Sequence, residues 1–96
     1  IRGNTVLRAN SQYEGGYGAG IYVDGGRDVV IENNVVSGCD LGIEIGAENA
    51  GRLTEDIIVR NNVISDSVSH GVELSGSLAL RNRITANRIG VPALCF

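Results

Sequence analysis

The stretch that decides the fold is Asp28–Ile45, DVVIENNVVSGCDLGIEI, because it occurs again as Asp56–Leu74, DIIVRNNVISDSVSHGVEL. Both copies contain a pair of asparagines, a serine three residues later and a Gly-aliphatic-Glu triplet, and the second copy has one extra residue before its glycine. The remaining matched positions mostly exchange one aliphatic residue for another. Such self-similarity is typical of a structure built from stacked turns.

Partial copies surround the two complete ones. Ile1–Val6 has the outline of Ile31–Val36, and Gly20–Val23 has the outline of Gly42–Ile45. Ser77–Thr85 is interpreted as a shortened third copy of the first strand. The final segment is expected to place Gly90-Val91 where Gly42-Ile43 falls, and Ser11–Ala19 and Gly46–Glu55 are predicted loops because neither alternates.

Inside each copy, apolar and polar residues alternate with a period of two, which predicts strands with one buried face. Glu32 and Arg60 are expected to point outward. Glycines at Gly20, Gly42 and Gly71 are expected at corners where a side chain or a negative φ is unfavourable. The residues expected to point inward are Val29, Ile31, Val36, Ile57, Val59 and Ile64.

Two strands per repeat, stacked in parallel, describe an all-β parallel β-helix of about three to four turns. It forms one domain over residues 1–96 that starts and ends within a repeat. Leucine-rich repeats need a Leu-x-x-Leu-x-Leu run and a helical return, which are absent. The hairpins of an antiparallel sandwich would not give matched copies in the same order.

The segments NVVSGCDLGIEI and NVISDSVSHGVEL resemble right-handed parallel β-helix repeats of the pectate-lyase-like superfamily, and the resemblance covers nearly the whole chain. That superfamily includes pectate lyases, alginate lyases and epimerases. The resemblance implies a right-handed single-stranded coil, a secreted or cell-surface location, polysaccharide as partner and Ca²⁺ as a candidate cofactor. No catalytic motif of one enzyme family can be carried over residue by residue, so lyase or epimerase activity stays open.

Composition excludes some function classes. A formal net charge of −3, with eight scattered arginines and no lysine, argues against nucleic acid as a partner. The chain contains no apolar run long enough to cross a bilayer, so a membrane partner is not expected. The two cysteines, Cys39 and Cys95, fall at different places in the repeat, which favours small buried thiols over a disulfide.

Stacking places matched residues about 4.8 Å apart, one strand spacing, so equivalent side chains form ladders. Asn4, Asn34 and Asn62 are expected to form an amide ladder, with Asn82 as a fourth member, and asparagine tolerates the left-handed backbone that a corner requires. Outward-facing Arg2, Glu32 and Arg60 are expected to form a charge ladder. Both ladders are interpreted as structural.

A third ladder carries the functional interpretation. Tyr22, Glu44 and Glu73 are expected at the outward position of the Gly-aliphatic-x-aliphatic strand. Two stacked carboxylates repel each other unless a cation lies between them, which suits acid/base chemistry or Ca²⁺ binding. The alternative is two hydrated glutamates on an exposed sheet.

The predicted loops flank this face and add side chains suited to sugar rings, whose C–H faces stack on aromatics and whose hydroxyls need hydrogen-bond acceptors. His70, the single histidine, precedes Gly71 and is a candidate proton carrier. A hydrogen-bonded surface histidine is the simpler alternative. The substrate-binding candidates are Tyr13, Tyr17, Tyr22 and Glu48; the catalytic candidates are Glu44, Glu73, His70 and Arg52; and the metal candidates are Glu44 and Glu73.

Two functions follow from these patterns. The first is a carbohydrate-binding or polysaccharide-processing β-helix with a groove along the Tyr22/Glu44/Glu73 face. The second is a non-catalytic structural or self-assembling module, because open coil ends expose unpaired strand edges and apolar interiors. In that second case the chain is a homo-oligomer joined through its coil ends, or part of a longer chain.

Overall fold

A computed structural model describes residues 1–11, 18–47, 52–76, 79–90 and 94–95 of the chain. Within these ranges the secondary structure consists of short β-strands and turns, with no helix. In chain order the strands are β1 (Thr5–Leu7), β2 (Ala19–Asp24), β3 (Val30–Glu32), β4 (Val35–Ser37), β5 (Leu41–Gly46), β6 (Thr54–Glu55), β7 (Ile58–Arg60), β8 (Val63–Ser65), β9 (His70–Leu74), β10 (Ala79–Leu80), β11 (Arg83–Thr85), β12 (Arg88–Ile89) and β13 (Leu94–Cys95).

These strands pair in parallel and form three sheets and one short pair. Sheet 1 contains β3, β7 and β11; sheet 2 contains β1, β4, β8 and β12; sheet 3 contains β2, β5, β9 and β13. The short pair is β6 with β10. The chain passes through sheet 1, sheet 2, sheet 3 and the short pair before it returns to sheet 1. This path confirms the predicted parallel β-helix of three to four turns.

The prediction of two strands per repeat is wrong, because each coil contributes a strand to all three sheets. The first predicted strand is interrupted at the asparagine pair, where Asn33 and Asn61 have φ of 55° and turn the chain between sheet 1 and sheet 2. A further difference is that Thr54–Glu55, at the end of the second predicted loop, forms β6.

Left-handed residues recur at equivalent corners of successive coils, and most of them are not glycine. Asparagine and aspartate tolerate this region because their short polar side chains bond locally. The sequence interpretation gave the left-handed role to the ladder asparagines, but the residue before each of them has it. The three sets are Gly3, Asn33, Asn61 and Ala86; Arg8, Gly38 and Asp66; and Asp28, Asp56 and Arg81.

The interior of the coil is a column of aliphatic side chains. The predicted inward residues are buried, except that Val29 is only half-buried and packs against the edge of the core. Cys39 is a free, fully buried thiol, as expected, while the side chain of Cys95 lies outside the described part of the structure. The fully buried aliphatic residues are Ile31, Val36, Ile43, Ile45, Ile57, Val59, Ile64 and Val72.

An asparagine ladder runs along the corner between sheet 1 and sheet 2. The side-chain amide of Asn4 donates to Oδ1 of Asn34 at 3.1 Å, and that of Asn34 donates to Oδ1 of Asn62 at 2.9 Å. Asn62 in turn donates to Oδ1 of Asn87 at 3.0 Å. The ladder is confirmed for its first three members, but its fourth member is Asn87 and not Asn82.

The register of the last coil explains this correction. Ile84 pairs with Val59 and Ile89 pairs with Ile64, so RNRITANRIG, residues 81–90, is the third copy. Asn82 therefore lies beside Ile57 and accepts its backbone N–H at 3.0 Å. Two β-branched aliphatic residues five positions apart, as in Ile31/Val36 and Val59/Ile64, are the signal that fixes this register.

The end of the chain is also in a different register from the predicted one. Leu94 pairs with Val72 and Cys95 with Glu73, so Leu94, and not Val91, takes the position of Ile43. Gly90 follows β12, and its backbone N–H donates to the carbonyl of Ile64 at 2.9 Å.

The glycine that recurs in sheet 3 lies within the strands and not at a corner as predicted, and it is required by close packing and not by its φ. A Cβ on Gly42 would lie 2.4 Å from the carbonyl oxygen of Gly71 and 2.5 Å from Cγ2 of Ile64. Neither Gly42 nor Gly71 has a positive φ. Adjacent coils therefore approach each other too closely at this position for any side chain.

Candidate functional site

The outward column of sheet 3 consists of Tyr22, Glu44 and Glu73. Tyr22 pairs with Glu44 in the β2–β5 register, and Glu44 pairs with Glu73 in the β5–β9 register. The side chain neighbours along the column are therefore about one strand spacing, 4.8 Å, apart. Tyr22 is 45% exposed and the two glutamates are half-buried. The column combines an open aromatic face with two carboxylates.

A small cavity of about 170 Å³ opens at the Glu73 end of this column. It is lined by Leu41, Ser69, His70 and Glu73. His70 begins β9 and pairs with Leu41 of the preceding coil. An imidazole can both accept and donate a proton, so a histidine in a cavity with a carboxylate has the chemistry of a proton carrier. The structure thus brings two catalytic candidates, His70 and Glu73, to one cavity, whereas Glu44 is not part of its lining.

Asp40 fastens the loop that enters the sheet. Its Oδ2 accepts the backbone N–H of Ser11 at 2.6 Å and that of Gly18 at 2.8 Å, so one carboxylate binds both described ends of the loop. These two hydrogen bonds, the Ser11 bond most strongly, hold the pKa of the Asp40 carboxyl below its usual range. The sequence interpretation missed this residue.

The loop ends also touch each other. A Cβ on Gly18 would lie 2.5 Å from the carbonyl oxygen of Ala9, so only glycine permits this approach. The backbone N–H of Asp40 donates to that same carbonyl at 3.3 Å. A signal was present in the sequence: the first copy has an acidic residue where the second has Ser69, and the coil before the first copy contains the predicted loop Ser11–Ala19.

The structure adds no support for a functional role of several predicted site residues. Tyr13, Tyr17 and Glu48 lie outside the described residues. Arg52 is exposed, and no hydrogen bond or ion pair joins it to another described residue. It stays a catalytic candidate on sequence grounds alone.

The described part of the site does not fit Ca²⁺. This ion takes six to eight oxygen ligands, whereas the column supplies two carboxylates. Across the described ranges, no three His, Cys, Asp or Glu side chains come together as a group that could hold a metal ion. No step of the proposed chemistry is therefore assigned to a metal.

The predicted charge ladder of sheet 1 is confirmed as an ion pair only for Glu32 and Arg60. Nε of Arg60 lies 2.8 Å from Oε2 of Glu32, and Arg2 is bridged to Glu32 through the backbone.

Nothing among the residues that the structure describes forms a helix able to span a membrane.

Comparison with known proteins agrees with this coil. The family model described as "Right handed beta helix region" matches residues 1–92. The chain belongs to the right-handed β-helix family. Its handedness follows from that membership.

One curated relative of this β-helix chain is "Uncharacterized protein YwoF" of Bacillus subtilis (strain 168). The two are 39% identical over 57 residues, which is 59% of this chain and 12% of the relative. The β-helix chain thus spans about an eighth of the length of that protein. No solved structure matches it significantly.

Proposed function

We propose that this right-handed β-helix chain binds carbohydrate along the Tyr22/Glu44/Glu73 face. The observation that carries the proposal is the strand register, which aligns one exposed aromatic side chain with two carboxylates in a single outward column. An aromatic ring packs on the C–H face of a sugar, and neighbouring carboxylates accept hydrogen bonds from its hydroxyls. The column runs along the coil axis, so successive sugar units of a chain meet successive coils.

The cavity at the Glu73 end of the column supports the same function. It offers His70 and Glu73 as polar groups around a small recess of about 170 Å³, next to an exposed surface. If the chain also processes its polysaccharide as a lyase or epimerase, His70 is the group that accepts the proton, and Glu73 is a second polar group of the same recess. Replacing His70 by Ala then abolishes product formation while polysaccharide binding persists.

Substitution of Tyr22 gives the most direct test. Tyr22→Ala is compared with Val63→Ala, which removes an outward side chain of similar exposure, 43% against 45%, from sheet 2. We expect Tyr22→Ala to weaken binding on a glycan array and in affinity electrophoresis with neutral polysaccharides about tenfold, since an aromatic contact contributes about 0.5–1.5 kcal/mol beyond the area that it buries. Val63→Ala should bind like the parent. Equal binding by both variants, or no binding by the parent, rejects the proposal.

A charge-removing pair tests the carboxylates in the same assay. Glu73→Gln is compared with Asp66→Asn, which removes an exposed carboxylate at a left-handed corner that asparagine also tolerates. Weaker binding is expected for Glu73→Gln alone. Identical losses in the two variants would mean that net charge, and not the column, determines binding.

We also propose assembly through the coil ends as a second candidate function, and the asparagine ladder favours it. Along the ladder each asparagine donates its backbone N–H and its side-chain amide to Oδ1 of the next coil, as Asn34 does to Asn62. Among the described residues, no group donates to Oδ1 of Asn4 and none accepts the backbone N–H of Asn87. The two ends of the ladder are therefore complementary, and either a head-to-tail stack of two copies or the further coils of a longer chain would satisfy both.

Sedimentation over a range of concentrations tests this candidate. Val6 lies at the inward position of edge strand β1, so Val6→Lys places a charge where a second copy would stack. Val63→Lys adds the same charge on the outward face of sheet 2 and is the matched control. The expected result is concentration-dependent association that Val6→Lys abolishes and Val63→Lys preserves. A parent chain that stays monomeric at all concentrations contradicts it.

A further inference from the structure

A groove lies on the outer surface of sheet 1, away from the sheet 3 face. It encloses about 340 Å³ and crosses three consecutive coils. Each coil contributes a left-handed corner residue and the residue two positions later: Asp28 and Val30, then Asp56 and Ile58, then Arg81 and Arg83. We call this the Asp28–Arg83 groove.

The charged side chains in the middle of the groove already form ion pairs with each other and with neighbouring residues. Nε of Arg81 lies 3.2 Å from Oδ1 of Asp56, and Arg81 also contacts Glu55, which is buried and whose other oxygen lies 2.7 Å from Nε of Arg27. Asp56 and Arg81 thus form a fixed wall that is already paired. The floor beside this wall is apolar, since Val30 and Ile58 face it and are half-buried.

The two ends of the groove are charged and opposite. Asp28 and Arg83 are both exposed, and neither has an ion pair or a side-chain hydrogen bond to any described residue. Asp28 belongs to the first of the three coils and Arg83 to the last. The separation of their strands is two strand spacings, about 10 Å.

We propose that the Asp28–Arg83 groove binds a short extended peptide with free termini, of about three residues, with its amino terminus at Asp28 and its carboxylate at Arg83. An extended chain spans roughly 3.3–3.6 Å per residue, so about three residues match the 10 Å between the end coils. The central side chain then packs on Val30 and Ile58. A single amino acid is too short to reach both charges.

The charges select this occupant over a sugar. An uncharged sugar offers Asp28 and Arg83 hydrogen bonds but no opposite charge, and no aromatic side chain is found among the described residues that line the groove. An acidic sugar satisfies Arg83 but brings no cation for Asp28. A guanidinium binds a carboxylate with two parallel hydrogen bonds, and a carboxylate accepts from an ammonium, so both ends are satisfied by one zwitterion.

Isothermal titration calorimetry with the tripeptide Gly-Leu-Gly tests the proposal. Asp28→Asn and Arg83→Gln each remove one end charge, and asparagine tolerates the φ of 54° at position 28. The matched controls are Asp66→Asn and Arg88→Gln, which remove exposed charges elsewhere on the coil. We expect each groove variant to weaken binding about tenfold, the typical effect of losing one charged hydrogen bond, and the controls to bind like the parent.

Capped peptides determine the orientation. N-acetylation should weaken binding to the parent about tenfold but cost little more in Asp28→Asn, because the same contact has already been removed. Amidation of the carboxylate should show the same relation with Arg83→Gln. Thermal melting of each variant by circular dichroism checks that the coil remains folded.

The proposal is overturned by the absence of saturable binding, by equal binding of free and doubly capped peptide, or by equal losses in the control variants. It is also overturned if the parent dimerises and Asp28→Asn makes it monomeric, because a second copy is then the occupant. Glycan binding through Tyr22 is independent of each of these outcomes.

Discussion

The residues that repeat from coil to coil are similar in the interior but differ on the outer surface. Inside, equivalent positions have the same chemistry in successive coils, as with Ile31, Val59 and Ile84. Outside, equivalent positions change, from Tyr22 to Glu44 and Glu73 on sheet 3 and from Asp28 and Asp56 to Arg81 on sheet 1. Side chains that stack on identical neighbours fix the coil, whereas side chains that differ from their neighbours create a surface that recognises something else.

The largest expected effect comes from breaking the interior ladder. Asn62 is 1% exposed, accepts from Asn34, and donates to the carbonyl of Ile31 and to Asn87. Asn62→Ala leaves several buried polar groups without partners, and we expect it to lower the free energy of unfolding by about 3 kcal/mol or more. Urea denaturation measures this loss.

The matched control is Asn10→Ala, which removes an exposed asparagine outside the ladder. It should change the free energy of unfolding by less than about 0.5 kcal/mol. If both substitutions have similar effects, the ladder is not a main source of stability.

The next largest effect is expected where coils approach most closely. Gly42→Ala forces a methyl group against the backbone of Gly71, whereas a Cβ on Gly46 meets no atom closer than 3.4 Å. Overpacking of this kind costs about 1–3 kcal/mol, and we expect that loss for Gly42→Ala. Gly46→Ala should be almost neutral in the same denaturation experiment. A stable Gly42→Ala variant would contradict the close approach of the coils.

The two hydrogen bonds that the Asp40 carboxylate accepts from Ser11 and Gly18 predict that the stability of the fold depends on pH. Because the folded pKa of Asp40 is below its unfolded value, its contribution is present above the unfolded pKa, about 3.9, and is lost as the pH falls through the folded pKa. Asp40→Asn should therefore be less stable than the parent at neutral pH and approach the parent under strongly acidic conditions. Thermal melts from pH 2 to 7 measure this difference.

A difference in stability between Asp40→Asn and the parent that stays constant over the whole pH range would contradict a stabilising role for the Asp40 charge. Asp66→Asn is the control, since it removes an exposed carboxylate that no described group binds. Its stability should follow that of the parent at each pH.

The smallest effect is expected for the outward charge ladder. The side chains of Arg60 and Glu32 are 45% and 19% exposed, and ion pairs of this type contribute about 0.2–1 kcal/mol. Arg60→Gln should lower the free energy of unfolding by no more than that, and less at high salt. A loss of 2 kcal/mol or more would show that the outer ladder determines the fold together with the interior.

The same contrast decides what could be predicted from the sequence. The repeat, its alternation and its asparagines predict the parallel coil, the inward residues and the Tyr22/Glu44/Glu73 column, because interior stacking demands similarity that is visible in the sequence. The third strand per coil was missed, since the left-handed turn at Asn33 depends on a backbone angle that alternation does not report.

The remaining failures have the same kind of cause. Asn82 and Asn87 both lie near the expected spacing, and only the register of Ile84 and Ile89 distinguishes them. Asp40 and the Asp28–Arg83 groove depend on contacts between coils, with partners 22 to 29 residues away for Asp40. The alternation within a single copy does not report such contacts, which become visible only when successive copies are compared.

The most direct test of the central claim, that the outward column of sheet 3 is the binding surface, is an NMR titration of the ¹⁵N-labelled chain with a neutral oligosaccharide. We predict saturable shifts of the backbone amides of Tyr22, Glu44 and Glu73, with those of Val35 and Val63 on sheet 2 unchanged. Shifts on sheet 2 alone, or none that saturate, would contradict it.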